Sequence, residues 1–168
     1  MAEKEYKIVS GYGLGIGSIV INGALDYKLN SNYKNLDDLL ILRPFPQMQS
    51  GTKTIPEIWT DYRNDMIAKA GIAIFVFGNK LVDGETVNSN GMEEEFDICL
   101  KHFVIPIPIG ITGSVSKSLW DKVISNLNSY YPDNADLHNA IRELGKDNIS
   151  KNDIITNTIK AINILQKV

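Results

Sequence analysis

The sequence predicts an α/β domain with a mainly parallel central sheet, and three observations support this prediction. Short apolar runs alternate with segments of helical periodicity, a pattern typical of parallel strands joined by helices. These runs lie at 8–9, 39–43, 72–77 and 104–109. The run at 72–77 is apolar throughout, as expected for a strand buried on both faces. Glycine turns at Gly11, Gly78 and Gly110 each follow a predicted strand, so we expect them at one edge of the sheet, where ligands bind.

Length and composition limit the class of protein. The 168 residues are enough for one domain with a substantial core, and 43% hydrophobic with 22% charged residues is ordinary for a globular chain. A net charge of -3 gives no basic surface for nucleic acid. No apolar run approaches the ~20 residues of a membrane span. The single cysteine excludes an internal disulfide and fits the cytoplasm, so we expect a cytoplasmic domain with neither nucleic acid nor membrane as partner.

The first glycine-rich turn is the leading candidate for a binding site. Glycines alternate over 11–17 and are followed by a predicted helix at 19–29, with Ser18 as its N-cap. Glycines let the backbone approach a ligand, and the helix N-terminus attracts negative charge. We therefore predict that a phosphate lies over Gly11, Tyr12 and Gly13. A turn that only packs tightly is the alternative.

Charged residues follow later predicted elements. Arg43 ends the second strand and is either a ligand contact or a solvated side chain. A helix over 57–70 carries Arg63, and Lys80 follows the Gly78 turn. A polar segment at 81–90 is expected to be irregular.

A further helix opens at Gly91, with Glu93, Glu94 and Glu95 in its first turn, where carboxylates favour the helix dipole. The prolines of the 104–109 strand indicate a sheet margin. Further helices are predicted at 116–128, 136–144 and 152–165.

Cys99 is predicted to lie in the core, His102 to end a helix and His138 to be exposed. The spacing of these residues indicates no metal site.

Arg63, Lys80 and Glu95 form the predicted ligand-binding constellation. A guanidinium fork and an ammonium suit phosphates, and a carboxylate can accept two hydrogen bonds from a ribose diol. Aromatic side chains would wall the pocket. The candidates for this wall are Tyr12, Phe45 and Phe96.

The segments 62–67, 72–78 and 91–95 resemble the SLOG superfamily, Rossmann-like domains related to the cytokinin-activating phosphoribohydrolases (LOG). The resemblance implies a three-layer sandwich with a mainly parallel sheet. Arg63 and Glu95 match the enzyme's helix arginine and ribose-contacting glutamate. Phe77 replaces the enzyme's loop proline and Met92 its threonine, so binding without catalysis is expected. A LOG-type nucleotide phosphoribohydrolase is the alternative.

The closer resemblance is to the C-terminal SLOG domain, of STALD type, in the ThsA family of Thoeris anti-phage defence effectors. It implies that the chain binds 3′-cyclic ADP-ribose, or a related cyclic ADP-ribose isomer, made by a TIR-domain protein. Binding would activate an N-terminal sirtuin-like NADase domain. The chain, 1–168, would then be a single sensing domain from a longer effector, without catalysis or a cofactor of its own.

The ligand-binding residues implied by this resemblance span four segments of the chain. They are Gly11, Tyr12, Gly13, Arg63, Gly78, Lys80, Gly91, Met92 and Glu95. Pairing of Arg63 with Asp65 or Asp97, and a purely capping role for Glu95, are the structural alternatives. We expect a homodimer or tetramer, because a sensor that controls another domain must move something larger than itself.

Overall fold

A computed structural model describes residues 6–13, 16–31, 35–49 and 51–167. Helices and parallel strand pairs make up these ranges, which confirms the predicted α/β class. The chain folds as two compact units, which divide between Ala70 and Gly71. Whether they act as the single predicted domain stays a prediction.

Within its described ranges, the first unit contains two parallel strands and two α-helices. These elements are β1 (Ile8–Ser10), α1 (Ile16–Leu29), β2 (Leu40–Leu42) and α2 (Ile55–Ile67). In the parallel register, Ile8 lies opposite Leu40. The prediction that Ser18 is an N-cap is wrong, because α1 already begins at Ile16. The Gly17 N–H donates to the Gly13 carbonyl at 2.9 Å, so helical hydrogen bonding starts among the glycines.

Helix α2 begins with a capping box. The hydroxyl of Thr54 and the carboxylate of Glu57 each satisfy a backbone N–H of the first turn. Pro56 lies at the start of the helix, as predicted, where a missing N–H costs nothing. The hydrogen bond from the Thr54 N–H, at 2.7 Å, lowers the pKa of Glu57.

The second unit contains four strands and four helices among its described residues. They are β3 (Ile72–Phe75), β4 (Asn79–Val82), β5 (Glu85–Asn88), α3 (Asn90–Lys101), β6 (Ile105–Pro108), α4 (Ser114–Ile124), α5 (Ala135–Glu143) and α6 (Lys151–Leu165). Strands β3 and β6 are parallel. The turns at Gly78 and Gly110 therefore follow the same edge of this strand pair, which confirms the prediction for two of the three glycine turns; Gly11 follows a strand of the other parallel pair.

Two predictions about strands are tested in this unit. The prolines of β6 lie opposite Ala73 and Phe75, while Ile105 and Ile109 donate the hydrogen bonds to the β3 side. This fits a margin strand, because proline has no N–H to donate. The prediction that β3 is buried on both faces is wrong. Phe75 is buried, but Ile74, on the opposite face, is 39% exposed.

The segment predicted to be irregular is an antiparallel hairpin of β4 and β5. Asp83 and Gly84 join the strands, with φ of 51° and 86°. Positive φ at both central residues is the geometry that Asp-Gly turns adopt in tight hairpins. The residues that the structure describes therefore form one antiparallel strand pair in addition to two parallel pairs.

The core of the second unit corrects two further predictions. Phe96 is 0% exposed and its ring packs against Phe75 and Tyr130, so it cannot wall a pocket. His138 is 7% exposed rather than exposed, because it lies on the buried face of α5. Cys99 is buried, as predicted.

Candidate functional site

The first cluster of predicted residues surrounds Gly11, directly after β1. A Cβ at this position would come within 2.8 Å of the Phe45 ring and 3.1 Å of Met66 Sδ, so any larger residue would displace the Phe45 ring. The Arg63 guanidinium lies 5.1 Å from the centroid of the same Phe45 ring. The structure therefore brings Gly11 and Arg63 together around Phe45.

Tyr12 projects from this turn in an unusual backbone conformation. Its φ is 55°, in the left-handed region, and the residue is 51% exposed. Its N–H donates to Ser10 Oγ at 3.2 Å, and Gly17 packs so closely that a Cβ there would lie 2.8 Å from the Tyr12 carbonyl carbon. Tyr12 is thus an aromatic residue presented at the end of a strand, between Gly11 and Gly13.

Arg63 is a buried residue of α2, only 9% exposed. The carboxylate of Asp65, an expected alternative partner, contacts Lys69 Nζ at 2.9 Å and Arg43 Nε at 3.2 Å. These contacts lower the pKa of Asp65, the Lys69 hydrogen bond most. Arg43, for which two roles were open, is therefore an ion-pair partner of Asp65.

The second cluster surrounds Gly78, three residues after Phe75, which forms the last residue pair of β3 and β6 with Pro108. Gly78 has a φ of 93°, and a Cβ would overlap Met92 and Val115. The Ser89 N–H, immediately before α3, donates to the Gly78 carbonyl at 2.8 Å. The first turns of α3 and α4 thus both pack against this glycine.

Lys80 lies on β4 and reaches the start of α3. Its Nζ donates to Asn90 Oδ1 at 2.7 Å, and Asn90 is the first residue of the helix. A helix N-terminus carries partial positive charge and favours anions. Lys80 therefore adds a second positive charge at this end, where Glu93 is the acidic residue of the first turn.

Glu95 lies in the second turn of α3, not the first as predicted, because the helix begins at Asn90. It follows Gly91 by four residues and Met92 by three, so these positions share one helix face. Glu95 is partly buried. Burial, with a smaller contribution from the charge of Glu95, raises the pKa of the Cys99 thiol to about 12.

Phe77 is a residue of this cluster that the sequence reasoning did not choose. Its φ is 59° and it is 47% exposed. Its N–H donates to Thr112 Oγ1 at 2.8 Å, and its carbonyl accepts from the Ser116 N–H at 2.8 Å. The sequence signal that could have found it is an aromatic residue directly before a strand-end glycine, as in Tyr12-Gly13.

The nine predicted binding residues fall into one cluster in each unit. Gly11, Tyr12, Gly13 and Arg63 belong to the first unit, and Gly78, Lys80, Gly91, Met92 and Glu95 to the second. It stays a prediction that one ligand is bound by Arg63, Lys80 and Glu95 together. Across the described ranges, every helix is too short or too polar to cross a bilayer.

Comparison with known proteins identifies the family of the chain. The family model of STALD, the Sir2- and TIR-associating SLOG family, matches residues 1–165. The NAD(+) hydrolase ThsA of Cytobacillus dafuensis is 42% identical over 166 residues, which cover 99% of this chain and 34% of that protein. ThsA of Bacillus cereus (strain MSX-D12) is 40% identical over 98% of this chain and 34% of its own length.

ThsA of Enterococcus faecium is 44% identical over 133 residues, 79% of this chain and 27% of that protein. The chain spans about a third of the length of the first two relatives. The family model, in contrast, covers almost all of the chain. The chain therefore belongs to STALD, the Sir2- and TIR-associating SLOG family.

Proposed function

We propose that this chain is a regulatory nucleotide-sensing domain that binds 3′-cyclic ADP-ribose, or a related cyclic ADP-ribose isomer, and thereby activates a linked sirtuin-like NADase. Two findings support the proposal. The relatives are named NAD(+) hydrolases, and the chain matches about a third of each. The family is described as associating with Sir2 and TIR, which fits a ligand made by a TIR-domain protein.

The observation that carries the proposal is the contact between Lys80 and Asn90 at the start of α3. An ammonium beside a helix N-terminus places two positive potentials next to each other, which is unfavourable until an anion arrives. A phosphate oxygen can accept from both the ammonium and backbone N–H groups at the start of α3. This end of α3 therefore suits a phosphate of the ligand.

The other contacts of the proposed ligand follow from chemistry. Glu95 shares a helix face with Gly91 and Met92, and its carboxylate can accept two hydrogen bonds from a ribose diol. In the first unit, the Gly11 turn and the guanidinium of Arg63 are further candidates for phosphate contacts.

A LOG-type phosphoribohydrolase is the competing function. Its compact loop before the ribose glutamate is replaced here by the hairpin of β4 and β5. Cleavage of a glycosidic bond needs groups held to within about 1 Å, and an exposed two-stranded hairpin is a poor support for them. We therefore favour binding without hydrolysis.

Titration calorimetry of the 168-residue chain with 3′-cyclic ADP-ribose tests ligand binding. Lys80→Met should weaken binding at least about tenfold, because a charge-assisted hydrogen bond is lost, while the exposed residue leaves the fold intact. Lys101→Met, at the other end of α3, is the matched control and should bind normally. No binding by the unmodified chain would refute the proposal.

Analysis of the ligand after incubation separates sensor from enzyme. Chromatography should recover 3′-cyclic ADP-ribose and nucleoside monophosphates unchanged. Release of free base, at a rate that falls in Glu95→Gln, would support the phosphoribohydrolase instead.

Activation is tested with a chimera in which this chain replaces the matching region of the Cytobacillus dafuensis relative. Added 3′-cyclic ADP-ribose should raise NAD+ hydrolysis by the chimera, and Lys80→Met should shift the response to higher ligand concentration. If calorimetry shows binding but the rate of NAD+ hydrolysis by the chimera does not change with added ligand, the regulatory part of the proposal is refuted.

We also propose that the chain assembles as a homodimer or tetramer. Light scattering across a concentration series measures the mass directly. A monomer at every concentration, with and without ligand, would contradict assembly through this part of the protein.

A further inference from the structure

We propose that Phe77 is the base-stacking residue of the second cluster and sets its preference for purine ligands. The inference rests on the proposed function, because it assigns the base of the same ligand. It replaces Phe96, whose burial removes it from any pocket wall.

The backbone conformation of Phe77 indicates that an aromatic side chain is needed at this position. A φ of 59° is unfavourable for any residue with a Cβ, and most of all for a bulky one. Glycine would adopt this conformation freely, and glycine does occupy the next position. A phenylalanine at this position therefore carries a conformational cost relative to glycine.

The strained conformation is held by residues distant in sequence. Thr112 Oγ1 accepts from the Phe77 N–H, and the Ser116 N–H donates to the Phe77 carbonyl. The fully buried Ser116 hydroxyl also reaches the carbonyls of Phe75 and Ile109, at 2.8 and 3.0 Å. Backbone strain that is fixed from both sides in this way is a recurring feature of ligand clamps.

The turn also moves the Phe77 ring out of the core. In an uninterrupted strand, residues 75 and 77 would face the same side, and Phe75 is buried against Phe96. Because β3 ends at Phe75 and the chain turns at Phe77, the second ring is 47% exposed. An exposed aromatic surface next to the Gly78 turn provides the stacking platform that a nucleobase requires.

The chemistry predicts which ligands bind. Stacking depends on overlap of ring area and tolerates changes at the edge of the base. Adenine and hypoxanthine ligands should therefore gain similarly from Phe77. A pyrimidine or a ribose phosphate without a base should gain less.

The experiment measures the dissociation constant of 3′-cyclic ADP-ribose for the chain and three variants. Phe77→Tyr keeps the ring and should bind within about threefold of the unmodified chain. Phe77→Ala and Phe77→Gly should both weaken binding about 5- to 150-fold, the range of one base-aromatic stack. Circular dichroism confirms that each variant is folded.

The glycine variant separates stacking from backbone support. Phe77→Gly relieves the strain that Phe77→Ala retains, so its melting temperature should exceed that of Phe77→Ala by about 2–4 °C. Equal loss of binding in both variants supports stacking. If Phe77→Gly binds like the unmodified chain, the ring has no role and the inference is overturned.

Lack of binding by the unmodified chain would overturn the proposed function and this inference together. Binding that is normal in Phe77→Ala but lost in Lys80→Met would overturn the inference alone.

Discussion

Tyr12 and Phe77 end their strands in the same way but are held in place differently. Each is an exposed aromatic residue with positive φ, next to a glycine. The N–H of Tyr12 bonds to Ser10, two residues away, whereas that of Phe77 bonds to Thr112, 35 residues away. One turn is therefore supported by its own neighbours in sequence and the other by the packing of its unit.

The chain that follows each turn differs as well. After Gly13, helix α1 begins at Ile16, so the turn leads into a helix N-terminus. After Gly78, the β4–β5 hairpin comes first and carries Lys80 to the start of α3. A glycine turn can therefore lie directly before a helix N-terminus that suits a phosphate, as after Gly13. It can also be separated in sequence from that helix, as after Gly78, where the hairpin intervenes.

Substitution of the two glycines should give the largest difference between the turns. Gly78→Ala introduces a Cβ that overlaps Met92 and Val115 at positive φ, and should lower the unfolding free energy by about 2–4 kcal/mol. Gly13→Ala has open space around its Cβ and should change it by less than about 1 kcal/mol. Urea unfolding measures both, and equal losses would contradict the comparison.

Removal of the two supporting hydroxyls should have the next largest effect. Thr112→Val removes the oxygen that accepts from Phe77 and donates to the Ile109 carbonyl at 2.7 Å, and should cost about 1–2 kcal/mol. Ser10→Ala removes a longer, exposed bond to Tyr12 and should cost less than about 0.5 kcal/mol. If Ser10→Ala proved the more harmful, the local turn would depend on its hydroxyl more than we infer.

Asn90 should act as a positioning residue for Lys80, an effect specific to the hairpin. Asn90→Leu removes the acceptor at 2.7 Å and should weaken binding of 3′-cyclic ADP-ribose about threefold to tenfold, because the ammonium is no longer held in place. In a Lys80→Met background the same substitution should add almost nothing. Additive losses in calorimetry would show that Asn90 acts independently of Lys80.

Near neutral pH the smallest expected difference is in pH dependence, because the groups with shifted pKa values titrate only in acid or alkali. Glu57 and Asp65, in the first unit, have lowered pKa values, so their stabilising contribution is present above the unfolded values near pH 4 and is lost as the pH falls through the folded values. Both are exposed, so the loss should be small. In the second unit, burial raises the pKa of Cys99 to about 12.

In the unfolded chain the Cys99 thiol ionises from about pH 8.5, whereas in the folded chain it stays protonated up to about pH 12. The free energy of unfolding should therefore fall between these two pH values, by at most about 1.4 kcal/mol per pH unit. The single-tryptophan variants Trp120→Phe and Trp59→Phe report the first and second unit separately by fluorescence during urea unfolding. Asp65→Asn should reduce the loss of unfolding free energy at acid pH, and Cys99→Ala should reduce the loss at alkaline pH. If the loss of unfolding free energy at alkaline pH were the same in Cys99→Ala, it could not be assigned to ionisation of the Cys99 thiol.

Local patterns predicted much of the fold because they act over a few residues. Pro56 at a helix start and the prolines of β6 were correctly interpreted from backbone chemistry alone. The Asp83-Gly84 hairpin was missed although its turn signal is equally local. Ser18 was misplaced because the glycines before it already enter the helix.

Which aromatic residues are exposed was beyond local patterns. Phe96 was expected in the pocket wall and lies in the core, whereas Phe77 was not chosen and is exposed. His138 was expected on the surface and lies on the buried face of α5. In each case, burial depends on which face of an element another element covers.

The sequence by itself determined the order of the parallel strands, glycine turns and helices, the position of Pro56 at the start of α2 and the family pattern, because these depend on short-range geometry and on residue identity. The tertiary structure alone decided that β3 stops at Phe75 and that Phe77 turns outward. The physical reason is that the left-handed backbone of Phe77 is fixed by Thr112 and Ser116, whose hydrogen bonds exist only once α4 has packed against the ends of β3 and β6.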